Sequence, residues 1–294
     1  MQENRPTMEG LEQVLERIAS DSRMPDNFRD WIRRSLRSGV GKIQALRYIL
    51  DRTASGAASS PRILDVGAQF ASQTVYSAKL GCRASAVDYG PASKVFAEIA
   101  IDLGVDYKEC DLGAEPLPFS DNQFDFVTYT DVMEHHSFSP KKVLQEIHRV
   151  LVPGGRVIVV TPNHASLYNR LKLLFGGSVN DDFDYFFDLC AGDRIYDGHH
   201  REYTRSEMKT ALRRTKFQVR ECRAIEQDLI SLVYYLRTHR SRAEILPESR
   251  DLLLSLLGVV WSVLHLPFGR WIWAVGEKPM AVRVADPSIV LDSE

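Results

Sequence analysis

The chain has 294 residues, of which 44% are hydrophobic and 26% charged, and its formal net charge is −2. This length suits one large domain, or a domain with an appendage, and the composition is that of an ordinary globular protein. The near-neutral charge gives no broad electrostatic attraction to nucleic acid, so no nucleic-acid partner is expected.

The first sixty residues carry the periodicity of helices. Apolar residues at helical spacing predict a helix over 8–19, a second one that starts near Pro25, and a third through 43–50. The small, polar stretch TASGAASS at 53–60 then predicts a linker. We therefore expect residues 1–60 to form a helical cap in front of the main domain.

From residue 62, short β-rich runs alternate with helical segments. The runs lie at 62–66, 84–88, 105–110, 124–130 and 156–161. The helical segments lie at 71–80, 91–103 and 140–151. Ser139 is the expected N-cap of the last one, with Pro140 at its first helical position. This alternation predicts a doubly wound α/β fold with a parallel sheet, and ligands at the C-terminal ends of its strands.

The later part departs from strict alternation. TRSE, with Thr204 and Glu207, is a capping box that opens a helix over 204–214. Strands are expected at 217–226 and 271–276, and the long segment between them allows the last strand to return antiparallel beside its neighbour.

The longest apolar stretch of the sequence lies near the C-terminal end of the chain. LLLSLLGVVWSVL at 252–264 is too short to span a bilayer and predicts a buried helix. Because the basic stretch RTHRSR at 237–242 precedes it, membrane contact through residues 252–273 is the alternative.

Redox and targeting signals indicate the compartment. The cysteines are scattered without a CxxC pair, which is typical of reduced thiols: Cys82, Cys110, Cys190 and Cys222. The N-terminal MQENRPTMEGLEQ lacks the apolar core of a signal peptide, so a cytoplasmic protein is expected.

The stretch ILDVGAQFASQT at 63–74 has the pattern of a cofactor loop. Gly67 follows the first strand, and Asp88 ends the second about twenty residues later, the offset of a carboxylate that binds ribose hydroxyls. Gln69 and Ala71 stand where a dinucleotide-binding loop has further glycines. A diphosphate is therefore poorly accommodated, which disfavours an NAD-dependent dehydrogenase.

The third strand end adds another acid. Asp111 stands there, placed to accept a hydrogen bond from an adenine amino group, with the Leu112 backbone beside the ring edge. A single such aspartate is more often a turn or cap residue. Together with Gly67 and Asp88, however, it puts ligand-binding groups at three strand ends of one rim.

The segments LPFSDNQFDFVTYTDVMEHH and VLQEIHRVLVPGGRVIVVTPN resemble the class I S-adenosylmethionine-dependent methyltransferases. The likeness is to their small-molecule branch, which includes quinone, sugar and natural-product methyltransferases, and it is strong over 60–165 and weak over 199–279. It implies a Rossmann-like seven-stranded sheet with the last strand antiparallel, and S-adenosylmethionine as cofactor. The domain would span 61–279, with 166–203 as a lid and substrate insertion and 280–294 as a tail.

The resemblance also implies site residues. Those that would bind the cofactor are Asp65, Gly67, Ala68, Asp88, Tyr89, Asp111, Leu112 and Thr130. Among them Asp88 would hold the ribose and Tyr89 would flank the adenine, while Thr130 and Asp131 would face the methionine portion and the reacting centre. The loop departs from the family at Gln69 and Ala71, and alanine is expected to fit wherever the glycine did not need a positive φ.

Methyl transfer is an in-line displacement, so catalysis is mainly alignment, but an acceptor hydroxyl or amine still has to lose a proton. His135 is the predicted general base or orienting residue, with His199 as second candidate and Asp131 also at the catalytic rim. Local hydrogen bonding by these histidines is an equally open alternative. Glu134, His135 and a later acid are suitable metal ligands, but no metal is predicted.

The insertion at 176–198 combines glycines, acids and aromatic residues. Its aromatic side chains would cover the pocket, or else pack over the sheet edge: Phe183, Tyr185, Phe186 and Phe187.

These observations predict an enzyme that methylates a small molecule, with oxygen of a sugar, glycolipid or natural-product intermediate as the expected acceptor. N-methylation and a non-catalytic binding or regulatory protein are the alternatives. A homodimer is left open.

Overall fold

The computed structural model describes residues 5–53, 60–90, 93–180, 183, 186–187, 198–225 and 269–280. Within them, seven strands form one sheet: β1 Arg62–Val66, β2 Arg83–Asp88, β3 Asp106–Glu109, β4 Phe124–Thr130, β5 Leu151–Pro162, β6 Gln218–Ile225 and β7 Trp271–Glu277. The helices are α1 Met8–Ala19, α2 Asp26–Arg34, α3 Gly39–Thr53, α4 Ser72–Lys79, α5 Ser93–Asp102, α6 Lys141–Val150, α7 Leu167–Leu174 and α8 Arg205–Arg214.

The strand order is β3-β2-β1-β4-β5-β7-β6. Strands β1 to β5 pair in parallel, whereas β7 pairs antiparallel with both β5 and β6. The predicted doubly wound, Rossmann-like sheet with an antiparallel last strand is confirmed. Because the order reverses between β1 and β4, the C-terminal ends of these two strands form the crevice where ligands bind in such sheets.

Most of the predicted helices within the described residues are found within one or two residues of their expected ends, whereas α3 extends three to four residues beyond the predicted 43–50 at each end. The Thr204 and Glu207 capping box at α8 is present as predicted. Helix α6 begins at Lys141 with Pro140 as its N-cap residue, so the prediction of Ser139 as N-cap is wrong. The boundary differs from the prediction by one residue, and the Ser139 hydroxyl accepts a hydrogen bond only from the Lys141 N–H, at 3.4 Å.

Helices of the N-terminal segment share a hydrophobic core with one face of the sheet. Leu15 and Ile18 of α1 are buried with Val75 of α4, with Phe96 of α5 and with Phe70 from the loop before α4. The second face has its own core, built from strand residues and from the buried faces of α6 and α8. The N-terminal helices thus pack directly beside the strand ends that hold the predicted site.

Several predicted features lie outside the described residues. They are most of the 53–60 linker, most of the 176–198 insertion with Tyr185, the apolar stretch 252–264 with its membrane alternative, and nearly all of the 280–294 tail. Among the residues described, none of the helices has the length and apolar character needed to cross a membrane.

Candidate active site

The loop after β1 brings backbone close to the crevice. The N–H groups of Gly67 and Ala68 both donate to the carbonyl of Val87, at 2.9 and 3.1 Å. Gly67 has a φ of +76°, and a Cβ added there would lie 2.5 Å from both methyl carbons of Val132. Only glycine fits this position, because both the backbone conformation and the space exclude a side chain.

The two residues that replace the family's glycines also adopt a left-handed backbone. Gln69 has a φ of 48° and Ala71 a φ of 54°. The condition under which alanine is expected to fit, a φ that need not be positive, is therefore not met at Ala71. The loop keeps the glycine-type path, and each residue carries a steric cost of roughly 1–2 kcal/mol for it.

Asp88 lies at the C-terminal end of β2, facing this loop. Its carboxylate accepts hydrogen bonds from the N–H of Gln69 and from the N–H of Tyr89 at 2.6 Å. Burial raises the pKa of Asp88, and the two N–H donors oppose that shift. A carboxylate has about four acceptor positions, so these bonds orient the group and leave capacity for a ligand's hydroxyls.

Asp65 has a different environment. It is buried, and it accepts hydrogen bonds from Thr74 of α4 and Thr128 of β4, each at 2.7 Å. Burial raises the pKa of Asp65, and the two hydroxyl donors oppose the rise. This carboxylate ties β1 to its neighbours and forms part of a cavity wall.

Two cavities, of about 740 and 540 Å³, lie along the C-terminal edge of the sheet. The two cavities adjoin, because six residues line both of them: Phe28, Trp31, Gly67, Gln69, Asp131 and His135. The remaining walls of the smaller cavity include Asp88, Tyr89, Asp111 and Leu112. Those of the larger one include Asp65, Ala68, Thr130 and His199. Every residue predicted to bind the cofactor or act in catalysis thus lines one cavity or both.

Asp111 and Tyr89 both line the smaller cavity. The Asp111 carboxylate accepts a hydrogen bond from the N–H of Gly113 at 2.8 Å, which fixes the turn after β3. Tyr89 is 66% exposed, so its ring is available as a flat apolar surface. These groups are of the type that recognises a nucleoside.

The end of β4 supplies the polar groups of the larger cavity. Thr130 is the last residue of β4, and its hydroxyl donates to Gln73 Oε1 at 3.4 Å. Asp131 follows with a φ of 57°, which turns the chain at the crevice. Its N–H donates to the Val160 carbonyl on the neighbouring strand at 2.9 Å.

His135 and His199 are brought together although they are far apart in sequence. Their ring centroids are 4.9 Å apart, at an interplanar angle of 74°. Nδ1 of His135 lies 3.2 Å from the Gly198 carbonyl oxygen, and Nδ1 of His199 lies 3.4 Å from the Glu202 carboxylate. The neighbouring His136 has another role, because it pairs with the Tyr129 hydroxyl and burial lowers its pKa to about 4.

Glu134 lies fully buried behind this pair. Its Oε2 accepts a hydrogen bond from the Thr161 hydroxyl at 2.9 Å, and its backbone carbonyl accepts from the His200 N–H at 2.8 Å. Burial raises the pKa of Glu134 to about 7, and its own backbone N–H and the nearby His199 oppose the rise. The residues after β4 and those around 198–202 thereby form one connected unit.

The N-terminal helices contribute to the site, which the sequence pattern did not predict. Five of their residues line the cavities: Asn27, Phe28, Trp31, Ser35 and Lys42. The Trp31 ring meets Phe70 edge to face at 5.2 Å, and Phe28 meets Phe96 at 5.4 Å. A sequence signal existed, since exposed aromatic residues on a short amphipathic helix often mark a binding surface. Nothing local, however, pointed them toward the strand ends.

The predicted aromatic cover is described only in part. Phe183, Phe186 and Phe187 are each more than half exposed, and Phe183 stacks on Phe187 with centroids 5.1 Å apart. None of these three is among the described residues that line the two cavities. Their closure over the pocket stays a prediction.

Known proteins with similar sequences and folds were found. Residues 64–159 match the family model described as a methyltransferase domain. The demethylmenaquinone methyltransferase of Clavibacter sepedonicus is 33% identical over 122 residues, which are 41% of this chain and 48% of that protein. A ubiquinone biosynthesis O-methyltransferase of Pseudomonas aeruginosa is 30% identical over 107 residues, covering 35% of this chain and 44% of that one.

The chain therefore spans about half the length of the curated relatives it matches. Among solved structures, an S-adenosylmethionine-dependent methyltransferase from Mesorhizobium loti superimposes with a TM-score of 0.53. It is 16% identical, with 82% of this chain and 99% of that chain covered, which shows the fold.

Residues 64–159 thus belong to the methyltransferase domain family. Over these residues the chain is similar to methyltransferase domains, and its sheet has the fold of class I S-adenosylmethionine-dependent methyltransferases, as the sequence resemblance predicted. The predicted cofactor, S-adenosylmethionine, is the cofactor of this class.

Proposed function

We propose that this chain transfers the methyl group of S-adenosylmethionine to an oxygen atom of a small-molecule acceptor. The observation that carries the proposal is the pair of adjoining cavities at the C-terminal strand ends. One is lined by groups suited to a nucleoside, and the other contains two adjacent imidazoles.

In this proposal the adenosine half of the cofactor occupies the smaller cavity. Asp88 accepts hydrogen bonds from the ribose hydroxyls, and Tyr89 lies against the adenine. Asp111 and the Leu112 backbone recognise the adenine edge. These assignments are supported by the exposure of Tyr89 and by the two N–H donors that hold the Asp88 carboxylate toward the cavity.

The methionine half then occupies the larger cavity, beside the backbone of Gly67 and Ala68 and beside Thr130. Lys42 of α3 also lines this cavity, with its ammonium group 5.5 Å from the centroid of the Phe70 ring. A cation there is suited to the carboxylate of the methionine portion. The N-terminal helices 1–60 would thereby act as a cap that completes the cofactor site.

The chemical step is an in-line displacement. The acceptor oxygen attacks the sulfonium methyl, and the new C–O bond forms as the C–S bond breaks. The sulfur keeps the electron pair of the broken bond, so S-adenosylhomocysteine leaves as the second product. Because the Gly198 carbonyl only accepts, the His135 Nδ1 bears a proton and its lone pair is on Nε2. That nitrogen takes the acceptor's proton or orients its hydroxyl, with His199 as second candidate and Asp131 beside the reacting centre.

The acceptor is a sugar, glycolipid or natural-product intermediate in this proposal. Oxygen is favoured over nitrogen because the P. aeruginosa relative is named as an O-methyltransferase. A non-catalytic protein that retains the fold is the second candidate, since Gln69 and Ala71 carry side chains in a left-handed backbone.

The proposed position of the cofactor ribose at Asp88 is tested by titrating S-adenosylmethionine into an Asp88 variant. Asp88→Ala leaves the ribose hydroxyls without an acceptor, so S-adenosylmethionine should bind with about 1–3 kcal/mol less free energy, which is roughly 10–100-fold weaker. Isothermal titration calorimetry measures it directly. Asp106→Ala is the matched control, because Asp106 begins β3 at the opposite edge of the sheet.

Parent-like affinity in Asp88→Ala would show that the cofactor does not lie across this strand end. The absence of any binding heat with the parent chain would favour the non-catalytic candidate.

A further inference from the structure

Glu134 and His135, which follow β4, form a cluster with His199. Methyl transfer as proposed above uses no carboxylate at the position of Glu134. Glu134, His135 and His199 each offer one potential ligand atom, and these three atoms lie within 4.8 Å of one another. The first two come from the 3-10 turn Met133–His135 that follows β4. The third is held beside them by hydrogen bonds from the backbone of His200 and Arg201 to the Glu134 carbonyl.

The hydrogen bonds of the two imidazoles define their tautomers. Nδ1 of His135 faces a backbone carbonyl, and Nδ1 of His199 faces the Glu202 carboxylate. Both partners are acceptors, so each Nδ1 donates its proton, and in the neutral imidazole the lone pair is then on Nε2. Metal-binding histidines have this arrangement, with the second nitrogen donating to a carbonyl or carboxylate that orients the ring. Glu202 is itself fixed by the Asn169 side-chain amide at 3.1 Å.

The carboxylate of the cluster is incompletely satisfied. Glu134 is fully buried, and its Oε2 accepts from Thr161. Its Oε1 is inaccessible and has no hydrogen-bond donor among the residues that the structure describes. A buried carboxylate oxygen without a partner is costly, and a cation beside it removes that cost.

We propose that Glu134, His135 and His199 bind a divalent first-row transition metal ion such as Zn²⁺ or Mn²⁺. Two imidazoles and one carboxylate are a ligand set that suits these ions and is unsuited to Ca²⁺, which takes oxygen ligands. Three protein ligands leave coordination positions for water or for an acceptor.

The use of the ion, though not its binding, rests on the proposed function. His135 and His199 line the larger cavity beside Asp131, where the acceptor oxygen would meet the methyl group. An acceptor oxygen bound to the ion would be oriented and would lose its proton more readily. His135 would then orient the nucleophile through the metal, and the proton that the acceptor hydroxyl releases would pass to solvent water.

The competing interpretation is a network in which Glu134, His135 and His199 only hold the loops together. Such a network needs no ion and would bind one only weakly at exposed imidazoles. His200 provides a matched control for this case, because it is exposed and directly follows His199.

The test is metal titration of the full chain without cofactor or acceptor. After removal of metal with a chelator, Zn²⁺ is titrated by calorimetry, and Co²⁺ is used as a probe whose visible absorption reports nitrogen and oxygen ligands. One equivalent of Zn²⁺ should bind to the parent chain. His199→Ala and Glu134→Gln should weaken binding by more than the ~10–100-fold typical of an outer-shell change, and His200→Ala should not.

Binding that is unaffected in both variants, or that is lost equally in His200→Ala, would overturn the proposal, as would the absence of binding to the parent. His199 is partly exposed, so His199→Ala remains informative if Glu134→Gln does not fold. Cofactor titration is a separate measurement, so a failed metal site is distinguishable from a failed methyltransferase assignment.

Discussion

At the scale of single residues, Gln69 adopts a backbone conformation that its residue type disfavours. It is exposed and has a φ of 48°. Gln69→Gly removes an unfavourable backbone conformation without loss of packing, so the free energy of unfolding should rise by about 0.5–1 kcal/mol. Chemical denaturation measures it, and Gln145→Gly, in the exposed face of α6, is the matched control expected to destabilise by about 1 kcal/mol.

Gln69→Gly, alone or with Ala71→Gly, should also leave cofactor binding intact or improve it. Both changes restore the glycines that the family has at these positions, and the N–H of Gln69 that binds Asp88 is a backbone group. Complete loss of binding would show instead that the Gln69 side chain makes a specific contact with the ligand.

His135 is the second residue whose role is testable in isolation. A general base contributes about 10²–10⁴-fold to the rate, so His135→Ala should lower turnover by that order while cofactor affinity stays near that of the parent. Turnover and affinity are measured for His135→Ala and for His199→Ala. If turnover is near that of the parent in His135→Ala but falls by this order in His199→Ala, His199 is the general base. If turnover is near that of the parent in both variants, catalysis depends on alignment of the substrates alone.

At the scale of elements, the two loops that close the crevice are fitted to each other. A Cβ on Gly67 would meet the methyl carbons of Val132 in the loop after β4, at 2.5 Å. Gly67→Ala should therefore destabilise by about 2–4 kcal/mol, the sum of a left-handed alanine and an overpacked contact. Gly81→Ala isolates the conformational part, because Gly81 has a φ of +89° and open space around its Cα.

The steric part should be relieved in the double variant Gly67→Ala with Val132→Ala. A double-mutant cycle by thermal or urea unfolding measures it, with a coupling of about 1–2 kcal/mol expected. Two results would contradict a steric contact between Gly67 and Val132. One is additive changes in the free energy of unfolding, and the other is a loss of stability in Gly67→Ala that is no larger than in Gly81→Ala.

The strands could be predicted from the sequence, whereas loop conformations and contacts between distant helices could not. Strands β1 and β4 were predictable to the residue because apolar runs between turn residues define them locally, and Asp88 and Asp111 followed as strand-end acids. The positive φ of Ala71 was not predictable, because alanine normally avoids that region and only the packed loop imposes it. The place of Trp31 in the cavity wall depends on how α2 packs against Phe70, a contact between distant parts of the chain.

At the scale of the whole molecule, the antiparallel end of the sheet is held together by charge as well as by its core. Glu277 at the end of β7 is 7% exposed and forms ion pairs with Arg156 of β5 at 2.7 Å and Arg220 of β6 at 2.6 Å. One carboxylate therefore joins three neighbouring strands. Hydrogen bonding from the Arg220 and Arg156 side chains lowers the pKa of Glu277 below its usual value, against the effect of burial.

This pKa shift makes part of the stability dependent on pH. Because the folded chain holds the Glu277 proton less tightly than the unfolded chain, the contribution is complete above the unfolded pKa of about 4.3 and is lost as pH falls through the lowered folded value. Glu277→Gln should cost about 1–3 kcal/mol near pH 7. The difference between parent and variant should shrink at about pH 4 and below, as the parent's carboxylate becomes protonated.

Urea unfolding of the parent and of Glu277→Gln across this range measures that difference, in which the titration of all other carboxyl groups cancels. Glu98→Gln is a suitable control, since Glu98 lies on the exposed face of α5. A loss that is equal at neutral and acidic pH would show that Glu277 acts through packing and neutral hydrogen bonds, and that the three strands are not joined by its charge.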